Sequence, residues 1–450
     1  MPRIRQPQSF EELFTKFSAT DLLPMFNKYG ATDADGNYLH WDKFKWRVNK
    51  GDSEELAWLT TKLARKGISK VLPNLEAVNG KNFSYCIPDS LFAKLHHIDM
   101  ETGAGRSLED DVFFKGLERD KYLVKSLMME EAITSSQLEG ASTTRKVAKE
   151  MLKSNRKPAD KSEQMIFNNY LLMKRAVEKK DEELSVDLIL ELHEIATFNA
   201  IENQAVPGEI RKDNDIEIKN LYGEVAFRPP CYKTIRDRMD ALCAFANLDT
   251  ESGNSDKFIH PVVKAAILHF MIGFIHPFGD GNGRTARALF YWYMLRAGYW
   301  LFEYVSISKL IQEKRSQYDT AFIYTETDDF DLTYFIYNQV DVIDNAVIAL
   351  RNHIESKKQD FYHFMEWIDR SELAKGLKRG ELEIVKDALQ NPGKRFTAQK
   401  VAIDIGVNEN TARSYLNTLV EKNLLESTKK KNIKTIFYIA PDDVREVLHL

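Results

Sequence analysis

The sequence predicts a mainly α protein with one small β-hairpin and a C-terminal winged helix, and three features lead to that expectation. Apolar positions recur with helical spacing over long stretches, from about Lys121 to Leu152, through Arg284 to Arg296, and from about Asp331 to Ile368. Two-residue alternation occupies a short passage, where Asp215-Ile-Glu-Ile218 and Glu224-Val-Ala-Phe-Arg-Pro-Pro230 flank Gly223 like the arms of a hairpin. Beyond Gly380, three short helical segments precede a further alternating passage that ends in Ile436-Phe-Tyr-Ile439. The expected organisation is an N-terminal helical region over 1–110, a core domain over 111–345, a linker helix over 346–375 and a winged helix-turn-helix over 376–450.

Taken in order, the N-terminal hundred residues are the least informative. Tyr38-Leu-His-Trp-Asp-Lys-Phe-Lys-Trp-Arg47 is aromatic and basic, and is expected to belong to a mostly helical cap on the core. A chain of 450 residues with 43% hydrophobic content can bury more than one core. Its net charge of −4 argues against a chain that is globally a nucleic-acid scaffold. Cys86, Cys231 and Cys243 are odd in number, far apart and without metal-ligand spacing, as suits a reducing cytoplasm. Lys264, His269, His276 and Arg296 interrupt the longest apolar runs before they reach the roughly 18 residues of a membrane helix. Met1-Pro-Arg-Ile-Arg-Gln-Pro7 has no apolar signal-peptide core, so a cytoplasmic protein is expected.

The densest chemistry lies in His276-Pro-Phe-Gly-Asp-Gly-Asn-Gly-Arg-Thr-Ala-Arg287. Gly281 and Gly283 bracket Asn282 with permissive backbone, so successive N–H groups can curl into a concavity suited to an anion. The helix that follows presents free N–H groups and the positive end of its dipole in the same place. Arg284 and Arg287, three residues apart on one face, add positive charge where the dipole is already positive, and a polyphosphate would neutralise them. Asp280 supplies a hard oxygen of the kind Mg²⁺ takes while substrate phosphates complete its shell. His276, whose ordinary pKa lies near neutrality, is the natural proton acceptor, although alone it would read as a helix-terminal residue capping carbonyls. There is no Gly-Lys-Ser/Thr of a P-loop, and no dinucleotide-binding glycine fingerprint after a strand.

This segment resembles the His-x-Phe-x-Asp/Glu-Gly-Asn-Gly-Arg-x-x-Arg signature of Fic-domain proteins at every fixed position. The resemblance implies an all-helical core whose best-known activity is transfer of AMP from ATP to a protein hydroxyl. It also implies roles residue by residue. His276 would be the general base toward a Ser, Thr or Tyr hydroxyl, and Phe278 would anchor the loop. Asp280 would hold Mg²⁺ at the α- and β-phosphates. Gly281, Asn282 and Gly283 would form the anion hole, with Arg284 and Arg287 gripping the outer phosphates.

A second motif, Thr134-Ser-Ser-Gln-Leu-Glu-Gly140, is similar to the family's Ser/Thr-x-x-x-Glu-Gly/Asn inhibitory motif, with Ser135, Glu139 and Gly140 in the matching places. Lying before the core, it resembles the class with an N-terminal inhibitory helix, in which Glu139 would pair with Arg287 and compete with the γ-phosphate. A carboxylate matched to a buried guanidinium fork is strong and geometrically specific. The plainer alternative is that Ser136-Gln-Leu-Glu139 is a capping box. The alternating passage fits the family's flap, a hairpin that docks target segments by strand addition, with Asp215, Ile216, Glu217 and Ile218 along its edge. Charged residues replace the aromatic or valine often found there. Tyr318 falls where relatives place a tyrosine near the adenine, His260 before Pro261 reads as a helix cap, and His269 reads as a packed residue.

In the C-terminal segment, Leu382–Leu389, Phe396–Ile405 and Asn410–Val420 have the spacing of a helix-turn-helix, with Asn408 as a cap and a lysine-rich tip over 429–434. From Gly376 onward 13 Lys and Arg stand against 10 Asp and Glu, a modest basic balance. Arg413, Ser414 and Asn417 could read a groove while Lys430 contacts a phosphate, or the module could dock protein instead. The favoured function is a Mg-ATP-dependent protein adenylyltransferase held off by Glu139. Its expected partners are a target protein, the chain itself and DNA through the C-terminal domain; a homodimer is compatible with this, and no membrane is involved. Two alternatives stay open, a nucleotide-sensing transcriptional regulator acting through the winged helix, and a de-AMPylase in which Glu139 positions water at the same site.

Overall fold

The fold of the first part of the chain is built round two adjacent helices, Pro261–Ile275 and Asn282–Arg296, seen in a computed structural model. The structure describes residues 4–102, 121–154, 156–201, 205–219, 223, 225–249, 258–390, 394–429 and 436–440. Pro261 occupies the first helical turn, where its missing N–H leaves no gap, and the His260 ring accepts the Val262 N–H as the cap. The helix is apolar on all sides, so it has to be covered on all sides. Phe270 and Phe274 pack against Phe83, Phe322 and Phe335, with the Phe83 and Phe274 rings edge to face at 4.9 Å. Asn282–Arg296 is buried from Asn282 to Leu295 apart from Gly283, and lies against helices Lys161–Glu178 and Val186–Thr197.

The long helix expected from Lys121 to Leu152 is broken. One helix covers Lys121–Leu138 and another Arg145–Ser154. The break is local in cause: Gly140 takes φ +99°, and the Ala141 N–H turns back to the Ser136 carbonyl at 3.0 Å, a helix-ending geometry that a glycine permits. Glu139 therefore sits in a turn at the end of a helix. Ser136 lies inside that helix with its hydroxyl on the Ala132 carbonyl at 2.8 Å, which excludes the capping-box alternative.

The N-terminal region departs from a helical cap in one respect, an antiparallel hairpin of Lys70–Glu76 with Asn82–Tyr85. Its first strand buries Leu72 and Leu75, every third residue, because Asn74 adopts a left-handed φ of 69° and shifts the register. Helix Glu54–Ile68 is joined to the core by buried polar contacts. Lys62 Nζ reaches Asp328 at 2.7 Å, and the Arg65 guanidinium donates to the Tyr334 hydroxyl at 2.7 Å and to the carbonyls of Ala31 and Leu39.

The chain divides into two units, Met1–Ile348 and Ala349–Leu450. The second contains helices Arg379–Gln390, Ala398–Ile405 and Glu409–Glu421 and a three-stranded antiparallel sheet. In that sheet Ile436–Ile439 lies between Arg395–Phe396 and Glu426–Lys429. Ile384, Val385, Phe396, Val401, Leu416 and Leu419 form its core. Phe396 is a strand residue and not the start of a helix, because the Thr397 side chain accepts the Lys400 N–H and starts the helix at Ala398. Asn408 caps the third helix, accepting the Thr411 N–H at 2.8 Å. Most of the lysine-rich tip, Lys430 included, lies outside the described residues. Among the described residues no helix is long and apolar enough to cross a membrane.

Candidate active site

The segment from His276 to Gly281 is a tight loop between the two central helices. The Asn282 side chain closes it, accepting the Phe278 N–H at 3.0 Å and donating to the Phe278 carbonyl at 2.8 Å. Phe278 is fully buried and stacks on the His193 ring, centroids 3.6 Å apart and 4° from parallel. Gly281 caps the following helix at φ +84°, and a Cβ there would lie 2.5 Å from Thr197 Cγ2. Only glycine meets both conditions.

The Thr285 N–H is the first to bond back into the helix, to the Gly281 carbonyl at 3.0 Å. The N–H groups of Asn282, Gly283 and Arg284 are left at the positive end of the dipole, with no hydrogen bond among the described residues. Two arginines line the same end. Arg284 is buried, with Nη1 on the Ala196 carbonyl at 2.6 Å and Nη2 on Asp280 Oδ1 at 3.3 Å, while its Nε has no hydrogen-bond partner. Burial disfavours its charge and lowers its pKa, against the pull of Asp280. An orphaned buried guanidinium nitrogen beside free amides is what an anion would satisfy.

Asp280 gives one carboxylate oxygen to the Gly281 N–H at 2.6 Å and to Arg284, and its other oxygen makes no hydrogen bond among the described residues. No group of three His, Cys, Asp or Glu that could hold a metal occurs among the described residues. A single free carboxylate oxygen next to an anion recess fits Mg²⁺ held jointly by one protein ligand, phosphate oxygens and water, and not a metal held by protein alone.

His276 ends the first central helix in a left-handed conformation, φ 49° and ψ 58°. Its Nδ1 lies 3.2 Å from the Gly273 carbonyl, which can only accept, so the proton is placed on Nδ1 and Nε2 is left with a free lone pair. Burial lowers its pKa, keeping the ring neutral. A neutral ring with an open Nε2 is the form a general base requires.

Glu139 comes into the same recess from the end of helix Lys121–Leu138. Its Oε1 accepts from Arg287 Nη2 at 2.8 Å, and a Cβ on Gly283 would lie 2.1 Å from that oxygen. Arg287 is completed by Ser135, whose hydroxyl accepts from Nε at 2.8 Å and whose carbonyl accepts from Nη2 at 3.1 Å. Burial opposes the charge on Glu139, but the Arg287 guanidinium outweighs it and holds the carboxyl below its ordinary range. Gly140 contributes the turn, its N–H donating to the Gln137 carbonyl at 3.1 Å.

The other expected site residues divide. The Tyr318 hydroxyl meets His269 Nε2 at 3.0 Å and its ring packs on Phe322 and Phe335, so it forms part of an aromatic wall near Arg287 and its hydroxyl is already engaged. Burial pushes His269 down to about 3, and its Nδ1 has no hydrogen-bond partner. Among the described residues of the hairpin Ile218–Lys219 pairs with Val225–Phe227, so Asp215, Ile216 and Glu217 precede the paired strand and only Ile218 of the expected edge belongs to it. In the second unit Arg413 and Ser414 are exposed, Arg413 pairs with Glu409 at 2.7 Å, and Asn417 Oδ1 accepts the Tyr438 hydroxyl at 2.7 Å.

Three functional candidates had no sequence motif. His193 accepts the Gly208 N–H on Nδ1 at 3.0 Å and so donates from Nε2 to the Asp280 carbonyl at 2.8 Å. Arg211 donates from Nε to the His276 carbonyl at 2.9 Å. Arg315 donates to the Leu138 carbonyl at 3.1 Å, beside Glu139. The one signal available was the run Pro207-Gly-Glu-Ile-Arg211, where helical periodicity stops.

Residues 183–294 match the model of the Fic/DOC family. Protein adenylyltransferase fic-1 of Caenorhabditis elegans is 33% identical over 121 residues, 27% of this chain and 21% of that protein. Protein adenylyltransferase Fic of Drosophila mojavensis is 50% identical over 52 residues, 12% of this chain and 10% of that protein. The matches thus span about a fifth or less of these relatives' length. The crystal structure of a Fic family protein from Desulfovibrio desulfuricans G20 shares the fold, with a TM-score of 0.50 at 19% identity over 79% of this chain and 97% of that one. With its loop, its two central helices and a family match over residues 183–294, the chain carries a Fic domain.

Proposed function

We propose that the chain is a protein adenylyltransferase, taking AMP from Mg-ATP to a hydroxyl of a target protein or of itself, and that Glu139 holds it in an inhibited state. The observation that carries this reading is the convergence on one loop of a neutral His276 with an open Nε2, an anion recess and Asp280. Phosphoryl-type transfer asks a protein mainly for placement and charge stabilisation, which these groups offer. The target hydroxyl oxygen would attack the α-phosphorus and its proton would pass to His276 Nε2. The bond from the α-phosphorus to the bridging oxygen would break, with diphosphate taking the electron pair. Asp280 would hold Mg²⁺, which supplies charge neutralisation at the phosphates.

Inhibition follows from occupancy. The Glu139 carboxylate lies where the first turn of Asn282–Arg296 presents its free amides, and it takes up Arg287 Nη2, so a terminal phosphate would have to displace it. The C-terminal unit supports a winged-helix reading through its helix order and its sheet, and use of its third helix on DNA would need Arg413 and Asn417 to leave Glu409 and Tyr438.

The test is incubation of the wild type, Glu139→Gly and Glu139→Gly/His276→Ala with Mg-ATP, followed by intact mass. The expected result is one or more added AMP groups in the single mutant, at least about tenfold faster than in wild type, and none in the double mutant. A folded, ATP-binding Glu139→Gly chain that adds no AMP to itself or to a lysate protein would overturn the reading.

A further inference from the structure

Arg211 is a buried guanidinium that forms no ion pair among the described residues, and its acceptors are all backbone carbonyls. Nε donates to His276, Nη1 to Asp213 and Nη2 to Pro230, while the Arg211 N–H donates to the Pro277 carbonyl at 2.9 Å. Burial lowers its pKa against the weaker pull of the Asp213 carboxylate, which makes no ion pair with it, the expected sign for a buried cation held mainly by carbonyl dipoles. Retaining an arginine in such a place is costly, and only a planar fork can serve three carbonyls that approach from three directions.

Those carbonyls have a common geography. Asp213 precedes the first hairpin strand, Pro230 follows the second, and His276 and Pro277 open the signature loop. One side chain therefore clasps both legs of the hairpin and the turn that carries the base. His276 needs such support, because a non-glycine residue in the left-handed region persists only where its surroundings over-determine it. His193 makes a second link of the same kind, between the Gly208 N–H at the hairpin's approach and the Asp280 carbonyl.

We infer that Arg211 is a positioning residue for the transfer step: it sets the direction of His276 Nε2 and couples that direction to the base of the flap. The inference rests on the reading of His276 as the base. It assigns to Arg211 no contact with nucleotide, and it makes the flap and the base one mechanical unit, so that a docked target segment and the group that takes its proton are aligned together.

The test uses the full chain with Glu139→Gly, alone and with Arg211→Ala or Arg211→Lys, and has three readouts. The rate of AMP addition at saturating Mg-ATP is expected to fall about 100-fold in Arg211→Ala, the size of loss that a misplacement near 1 Å can produce. Arg211→Lys keeps the charge but reaches one carbonyl at a time, and is expected to recover less than about a tenth of that loss. The calorimetric Kd for Mg-ATP is expected to stay within about twofold, since the Arg211 guanidinium bonds to carbonyls and not to the anion recess. Hydrogen–deuterium exchange is expected to quicken in peptides covering 225–231 and 276–283 while helix 161–178 stays as protected as before. Unchanged exchange in both peptides would overturn the inference, as would a rate loss matched by an equal loss of ATP affinity. If Arg211→Ala does not fold, Arg211→Lys carries all three readouts. A Glu139→Gly chain that transfers no AMP counts against the functional reading, whereas the exchange pattern decides the coupling by itself.

Discussion

Arg284 and Arg413 both stand in the first two turns of a helix and both are candidates for an anionic partner, yet their surroundings are opposite. Arg284 has a side chain 0% exposed, held by a carbonyl and by Asp280, with Nε left over. Arg413 is 51% exposed and already paired with Glu409 one turn earlier. A buried donor without a partner costs the protein stability and so points to something that completes it, whereas an exposed ion pair contributes about 0–1 kcal/mol and points to nothing. The same residue type at a similar helical position is thus evidence for a ligand in one unit and not in the other.

The contrast can be sharpened by experiment, beginning with the largest effect. In a Glu139→Gly background, His276→Ala is expected to lower AMP transfer by about 10²–10⁴-fold with Mg-ATP affinity little changed, as measured by turnover and calorimetry. Arg284→Lys removes the buried fork but keeps the charge. It should weaken Mg-ATP binding by about tenfold or more in calorimetry, since a point charge replaces planar, charge-assisted hydrogen bonds. An affinity equal to that of the parent would show that the orphaned Nε has no ligand to meet.

The pH profile tests the base in another way. Because burial lowers the pKa of His276, the neutral ring persists below the ordinary histidine value. Transfer by Glu139→Gly should stay level between about pH 8 and 7 and fall only as acid protonates the ring below about 6.5. A rate falling already above pH 7 would mean that the imidazole is not held neutral. The smallest effect is expected in the other unit. Arg413→Ala should change the stability of the chain by no more than about 0.5 kcal/mol in a denaturant titration. A large loss would show that the pair with Glu409 is structural.

Much of this could be read from the chain because it is local. The signature loop is contiguous, so its base, carboxylate, glycines and arginines can be recognised as neighbours without a fold. The Glu139 to Arg287 contact spans 148 positions and was legible only through a motif resemblance. What propensity missed were breaks set by single residues: Gly140 ending a helix that periodicity would have continued, Thr397 delaying one, and Asn74 turning a strand's burial period from two to three. Among the described residues of the hairpin only 218–219 and 225–227 pair as strands, so its alternation over 215–217 and 228–230 did not mark paired residues. His193 and Arg211 were illegible for a different reason. Their partners are main-chain carbonyls and one amide, which every residue type carries, so no spacing of side chains announces them.

The central claim is that the recess at the start of Asn282–Arg296, now approached by Glu139, is a phosphate site in front of His276. It is tested most directly by a crystal structure of the Glu139→Gly chain grown with Mg-ATP or a non-hydrolysable analogue. The expected density places phosphate oxygens on the N–H groups of Asn282, Gly283 and Arg284 and on Arg284 and Arg287, with a metal at Asp280 and the α-phosphorus facing His276 Nε2. Nucleotide bound elsewhere, or a recess left without phosphate at saturating nucleotide, would contradict it.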